Sequence, residues 1–235
     1  MEKERIVHPT RHPLSVQSLQ AVLFDLDGTL IATRRLVVES YIQALTPYFG
    51  YAPSEHEIMS KSPRAVRPFL SEIVGPSELH ACIERFYQAY ETLHATHFEG
   101  IYDGVLEMLS NLRQLGLPLA IVTGKSQRAW QIHATHIDLG PMHSWVFDDD
   151  VTAIKPNPAG LILALKRLYL DPQQTIYLGD SLTDVEAAQA AGILPGAVLW
   201  PKRATEIETF TQDALTRGAK LFATPASVVD FCFAS

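Results

Sequence analysis

The sequence predicts an α/β protein, a doubly wound parallel sheet with a helical domain inserted near its start. Three observations predict it. Short apolar runs recur along the chain, amphipathic helical stretches separate most of them, and one interval between two such runs is too long for a single crossover. Strands that alternate with helices are the signature of βαβ units, and those units build parallel sheets.

Taken in order, residues 1–20 form an N-terminal extension that mixes prolines, histidines and charges without a period. The run Ala21-Val22-Leu23-Phe24 is too brief for a helix and is closed by Asp25, which suits a strand buried on both faces. The next strand is expected at residues 119–122, so residues 25–118 lie between the two. Most of that interval is helical in pattern, as in residues 78–97, where Leu79, Ile83, Phe86 and Tyr90 share a stripe. An inserted helical domain over residues 31–98 accounts for it, leaving residues 21–30 and 99–235 as the core.

Within that core a helix is expected over residues 105–115, with Leu106, Leu109 and Leu112 on one stripe, Asp103 at its start and Gly116 past its end. Further strands are expected at residues 145–147, 175–178, 197–199 and 220–223. Asn157 reads as a helix cap with Pro158 at the first helical position, followed by Leu161, Leu165 and Leu168. Capping boxes at Thr183–Glu186 and Thr205–Glu208 mark two more helix starts.

Composition narrows the class of function. The chain has 235 residues, 47% hydrophobic and 19% charged, enough to bury a core without staples. A net charge of -7 gives no support for nucleic-acid or membrane binding. The two cysteines, Cys82 and Cys232, suggest neither a disulfide framework nor a zinc site, and read as buried apolar residues in a reducing compartment. No apolar run is long enough to span a membrane and no signal-peptide core follows Met1, so the expectation is a cytoplasmic protein of undetermined oligomeric state.

Ligands of open parallel sheets bind where the loops after the strands converge on a crevice. The first strand is followed by Asp25, Asp27, Gly28 and Thr29, and the second by Thr123, Gly124 and Lys125. Asp148, Asp149, Asp150 and then Lys155 follow the third, and Gly179, Asp180, Ser181 and Asp184 the fourth. Carboxylates converging from Asp25, Asp27 and Asp180 repel one another unless a cation sits among them. Oxygen-only ligands suit Mg²⁺, which keeps a position for a substrate phosphate oxygen. Thr123, the Gly124 amide and Lys155 supply the complementary anion-binding half. Phosphoryl transfer uses every one of these parts.

Each element alone is weak. A lone Asp-x-Asp is usually turn chemistry, Gly-Asp-Ser is a common turn, and Lys-Pro occurs anywhere. The order Asp-x-Asp-Gly-Thr, Thr-Gly, Lys-Pro, Gly-Asp-x-x-x-Asp, each after its own strand, is the informative pattern. It resembles the motifs of the haloacid dehalogenase superfamily of hydrolases, over residues 21–232. The stretch Leu178-Gly179-Asp180-Ser181-Leu182-Thr183-Asp184, with Ala187, Ala188, Ala191 and Gly192, is similar to the phosphoglycolate-phosphatase-like branch.

That resemblance implies a Rossmann-like catalytic core, a helical cap inserted after the first motif, and a small-molecule phosphate monoester as substrate. It implies Asp25 as the nucleophile that forms an aspartyl-phosphate and Asp27 as the acid and base. It implies Mg²⁺ on the Asp25 side chain, the Asp27 backbone carbonyl and Asp180, and leaves Asp184 either binding the metal through water or orienting Lys155. Asp27 also favours phosphate over halide, since dehalogenases of the superfamily lack this acid. A phosphomutase, a pyrophosphatase and a non-catalytic binding protein on the same fold remain the alternatives.

Arg64, in the basic run from Lys61 to Arg67, is a candidate for a second anionic group on the substrate, and Arg34 and Arg35 invite the same idea. Three other patterns carry less. Thr123-Gly124-Lys125-Ser126 resembles the end of a P-loop, but Leu119 stands where its first glycine belongs. His94/His97 and His133/His136 have helical spacing for one metal but no evident third ligand. Asp148, Asp149 and Asp150 read chiefly as a polar loop.

Overall fold

The computed structural model describes residues 19–63 and 65–234, so the N-terminal extension up to residue 18 and Arg64 lie outside the described residues. Strand β1 (Ala21–Phe24) sits at the centre of a six-stranded parallel sheet. On one side of it lie β4 (Leu119–Val122) and β5 (Ser144–Val146). On the other lie β6 (Thr175–Gly179), β7 (Leu194–Val198) and β8 (Lys220–Phe222). The order β5-β4-β1-β6-β7-β8 reverses direction at β1, which makes its carboxyl end the switch point of the sheet.

The period of two along β1 sorts its side chains between two layers. Val22 and Phe24 pack with Ile121, Ile176 and Leu178 against helices α5 (Val105–Gln114) and α10 (Pro225–Phe233). Ala21 and Leu23 pack on the other face, with Ala120, Val122 and Tyr177, against α7 (Ala159–Leu168) and α8 (Leu182–Ala190). Helices α6 (Gln127–Ala134) and α9 (Ala204–Thr216) complete the described core.

Between β1 and α5 the described residues hold an antiparallel ribbon and four helices. Strand β2 (Ile31–Ala32) pairs with β3 (Gly100–Ile101), joining the two ends of the excursion. Between them run α1 (Arg34–Phe49), α2 (Glu55–Met59), α3 (Val66–Ser71) and α4 (Pro76–His97). They close over their own apolar cluster, in which Tyr41, Phe69, Phe86 and Tyr90 are fully or nearly buried. This helical insert is tied back to α6 by the paired Arg128–Glu84 hydrogen bonds (2.6 and 2.9 Å) and by the Tyr87–Ser126 hydroxyl pair (2.7 Å). Arg34 and Arg203 both reach Glu55, and Arg34 also reaches Glu206, which links the insert to α9.

Several local expectations shift. The helix expected to start at Thr183 begins two residues earlier, because Ser181 accepts from the Asp184 amide while the Asp184 carboxylate accepts from the Ser181 amide. Asp184 is therefore the third helical residue, not the first. The second helix start is likewise displaced, from Thr205 to Arg203, and only half of a box forms there, the Arg203 amide donating to Glu206 Oε2. Asn157 accepts from the Ala159 amide in a turn, and Pro158, expected inside the helix, is its cap. In α5 the cap is Gly104 rather than Asp103, and Leu106 points outward at 50% exposure while Val105 and Met108 fill the buried stripe. Strand β7 starts at Leu194 because Pro195 and Gly196, which hide the pattern in sequence, pair with β6.

Candidate active site

The Asp25 amide donates to Leu178 O at 2.8 Å, so the chain stays in the ladder until the carboxylate has been delivered at the strand end. It then turns sharply. Gly28 has φ +74°, and a Cβ there would lie 2.7 Å from Asp180 Cγ. The first and fourth strand ends thus meet through a position that only glycine fits. Gly179 performs the same service for Asp184, whose Cγ would stand 2.4 Å from an added Cβ.

Asp25, Asp180 and Asp184 bring carboxylate oxygens within 4.8 Å of one another. Lys155 Nζ bridges two of them, 2.9 Å from Asp25 Oδ1 and 2.6 Å from Asp184 Oδ1, and also donates to the Tyr177 hydroxyl at 2.8 Å. The other Asp184 oxygen accepts from the Ser181 amide and hydroxyl, so both its oxygens are engaged by protein donors. Lys202 Nζ lies 2.7 Å from Asp180 Oδ2.

Burial pushes the Asp25 carboxyl up to about 7, opposed by Lys155 and reinforced by Asp184 and Asp180. Burial also raises Asp180, with Lys202 opposing. For Asp184 burial works toward the acid form, but Lys155 and the Ser181 donors overcome it and hold the carboxyl below its usual range. The Lys155 ammonium, which burial alone would weaken, is raised by Asp184 and Asp25. A buried carboxylate held so far from its ordinary ionisation invites a cation, and oxygen-only donors fit a hard divalent one.

Above this cluster opens a cavity of about 540 Å³. From the core Asp25, Asp27, Thr123, Gly124, Lys155 and Asp180 line it, although the Asp27 carboxylate, expected to converge with those of Asp25 and Asp180, stands outside the group that Asp184 completes. From the insert Val37, Tyr41, Met59, Val66 and Phe86 form a largely apolar wall. Asp184 is buried behind the cavity, and Arg34 borders it with its guanidinium paired to Glu55 and Glu206.

The weaker patterns resolve into structure. Asp149 accepts from the Gln127 amide and Asp150 from the Phe147 amide, as a polar loop should. Burial and its neighbour Asp149 push Asp148 up to about 7. His94 and His133 meet each other, with 2.9 Å between Nε2 and Nδ1, and among the described residues the grouping of possible metal ligands is the three aspartates alone.

Four residues of the site carried no role in the sequence reading: Lys125, Lys202, Thr33 and Tyr90. Thr33 donates to Asp27 Oδ1 at 2.7 Å, and Lys125 Nζ sits 3.1 Å from the same oxygen. The signal for Lys125 was its place two residues after Thr123 at a strand end. Thr33 lies six residues beyond Asp27, and Lys202 and Tyr90 arrive from remote segments.

A family profile described as haloacid dehalogenase-like hydrolase matches residues 22–198. The chain belongs to the haloacid dehalogenase-like hydrolases. Among curated relatives of this hydrolase, a Bacillus velezensis protein named Pyrophosphatase PpaX is 35% identical over 77% of this chain and 83% of its own length. A Pseudomonas aeruginosa protein named Phosphoglycolate phosphatase 1 is 30% identical over 76% of this chain and 69% of its own. Solved structures share the fold. CbbY from Rhodobacter sphaeroides, in complex with phosphate, matches with a TM-score of 0.72 at 21% identity, covering 88% of this chain and 95% of its own. A Lactobacillus plantarum protein matches with a TM-score of 0.77 at 24% identity, covering 91% and 99%.

Proposed function

We propose that this hydrolase is a Mg²⁺-dependent phosphatase of small phosphate monoesters that works through an aspartyl-phosphate on Asp25. The observation that carries the reading is the setting of Asp25. It lies at the floor of the cavity, between the Lys155 ammonium at 2.9 Å and the carboxylates of Asp180 and Asp184. That is a nucleophile with an anion-binding ammonium on one side, held there by Asp184, and on the other Asp180, a carboxylate able to share a cation with it.

In this reading an Asp25 oxygen attacks phosphorus as the ester P–O bond breaks. The leaving oxygen takes a proton from Asp27, and Asp27 then takes one from the water that hydrolyses the acyl phosphate. Thr123, the Gly124 amide and Lys155 hold the phosphoryl oxygens throughout. Asp25, the Asp27 carbonyl and Asp180 would hold the cation, while Asp184 spends its oxygens on Lys155 and Ser181. When bound, that cation supplies charge neutralisation to the transferring group. The helical insert serves as the cap, and a cytoplasmic setting completes the reading.

Phosphoglycolate-like acids head the list of esters, because a relative of 30% identity bears that name, and pyrophosphate, an anhydride, is the alternative substrate for which a relative of 35% identity is named. Release of phosphate from a panel of esters and pyrophosphate, with and without Mg²⁺, tests the reading. We expect Mg²⁺-dependent release that Asp25→Asn abolishes. An isomerised sugar phosphate with little free phosphate would point to a mutase, and silence across the panel to a non-catalytic binding protein.

A further inference from the structure

Lys125 is buried to 3% side-chain exposure, a costly place for an ammonium unless it is well partnered. Among the described residues its carboxylate partner is Asp27, and its Nζ also donates to the Tyr90 hydroxyl at 2.7 Å. Tyr90 belongs to α4 of the insert and is itself fixed, because its hydroxyl lies 2.6 Å from His133 Nε2. His133 in turn meets His94 of α4 at 2.9 Å. A continuous chain of polar contacts therefore runs from Asp27 across the seam between core and insert. The Lys125 backbone is pinned as well, its amide donating to Thr123 Oγ1 and its carbonyl accepting from Asp148.

Both donors that reach the Asp27 carboxylate, Lys125 and Thr33, fall on Oδ1. No hydrogen bond among the described residues falls on Oδ2. Two donors on one oxygen fix the plane of the carboxyl group and leave the second oxygen for proton exchange. We propose that Lys125, held in place by Tyr90 of the insert, is a positioning residue that orients Asp27 for proton transfer to the leaving group and from the hydrolytic water. The inference rests on the phosphatase reading and deepens it: the seating of the helical insert is felt at the acid and base.

The discriminating property is the leaving group. An alkyl phosphate needs a proton delivered as its P–O bond breaks, whereas 4-nitrophenolate leaves without one. General acid–base catalysis is worth about 10²–10⁴-fold, so imperfect aim has room to show. With Mg²⁺ present, Lys125→Met should lose about 10-fold or more in kcat on an alkyl phosphate. It should release the first equivalent of 4-nitrophenol from the aryl ester at nearly the wild-type rate. Phosphoryl-enzyme should then accumulate on acid quench, because water is poorly activated. Tyr90→Phe, which removes one hydroxyl, should shift the alkyl-to-aryl ratio of first-turnover rates in the same direction by less.

Equal losses on both esters without accumulation of phosphoryl-enzyme, or wild-type kcat on both, would overturn the proposal. If Lys125→Met does not fold by circular dichroism, Tyr90→Phe decides alone, and an unchanged alkyl-to-aryl ratio overturns it. A wild-type enzyme that acts on no ester of the panel fails at the earlier step and removes the phosphatase reading together with this one.

Discussion

Gly28 and His133 show how single residues hold the site. At Gly28 the φ of +74° and the 2.7 Å approach to Asp180 combine, so Gly28→Ala adds both backbone strain and a clash with a candidate metal ligand. We expect a stability loss of about 1–3 kcal/mol in denaturant titration, with a larger proportional loss in Mg²⁺ affinity measured by calorimetry. His133 is held neutral by burial, with Lys125, His94 and His136 adding to the effect, and its ionisation falls from 6.5 to about 2. The unfolded chain takes up that proton near 6.5 while the folded ring does not. Its contribution is therefore complete above 6.5 and is lost as pH falls below it, by at most about 1.4 kcal/mol per pH unit. Thermal melts from pH 7 to pH 5 should show that slope, and His133→Gln should flatten it. Asp25, Asp27 and Asp180 were legible in the sequence because the first two follow one apolar run, and the third follows another, within a few residues. Lys125 stood in plain view but took its meaning from Asp27, and Tyr90 and Lys202 reach the site through tertiary contacts that no local spacing encodes.

At the scale of elements, the start of α8 does two jobs. The Ser181 side chain caps the helix and also engages Asp184 Oδ2, which frees Asp184 Oδ1 to hold Lys155 beside Asp25. Ser181→Ala should cost about 1 kcal/mol as a lost cap. It should also lower phosphatase activity beyond what unfolding explains, since Lys155 loses part of its alignment; kcat measured well below the melting temperature separates the two. Sequence alone misplaced this start by two residues because Ser181-x-x-Asp184 and Thr183-x-x-Glu186 overlap as equivalent capping patterns. The choice falls to the end of β6, which ladders through Gly179 and leaves Ser181 extended. The stripe on α5 slipped for a related reason. Leucine spacing alone does not say which face meets the sheet, and Leu106 faces outward while Met108 turns in.

Over the whole molecule two kinds of core coexist, the two layers against the sheet and the separate aromatic cluster of the insert. Phe86 meets Tyr87 edge-on and Tyr41 and Tyr90 in tilted ring contacts within the insert, and it also lines the cavity. Phe86→Ala should cost about 3–5 kcal/mol. In hydrogen exchange the loss should appear first in α1 and α4 and later in β1, β4 and β6. The alternation of apolar runs and helices made the parallel sheet readable, and the length of the interval after β1 made the insert readable. The seam between them was not, because Arg128–Glu84, Tyr87–Ser126 and Lys125–Tyr90 join residues far apart in sequence. The most direct test of the chemistry asks whether Asp25 carries the phosphoryl group. Acid-quenched enzyme taken during Mg²⁺-supported turnover and mapped by peptide mass spectrometry should show one phosphoryl group on Asp25, absent from Asp25→Asn. A turning-over enzyme with no phosphoryl group on Asp25, and an Asp25→Asn variant that keeps the full rate, would contradict it.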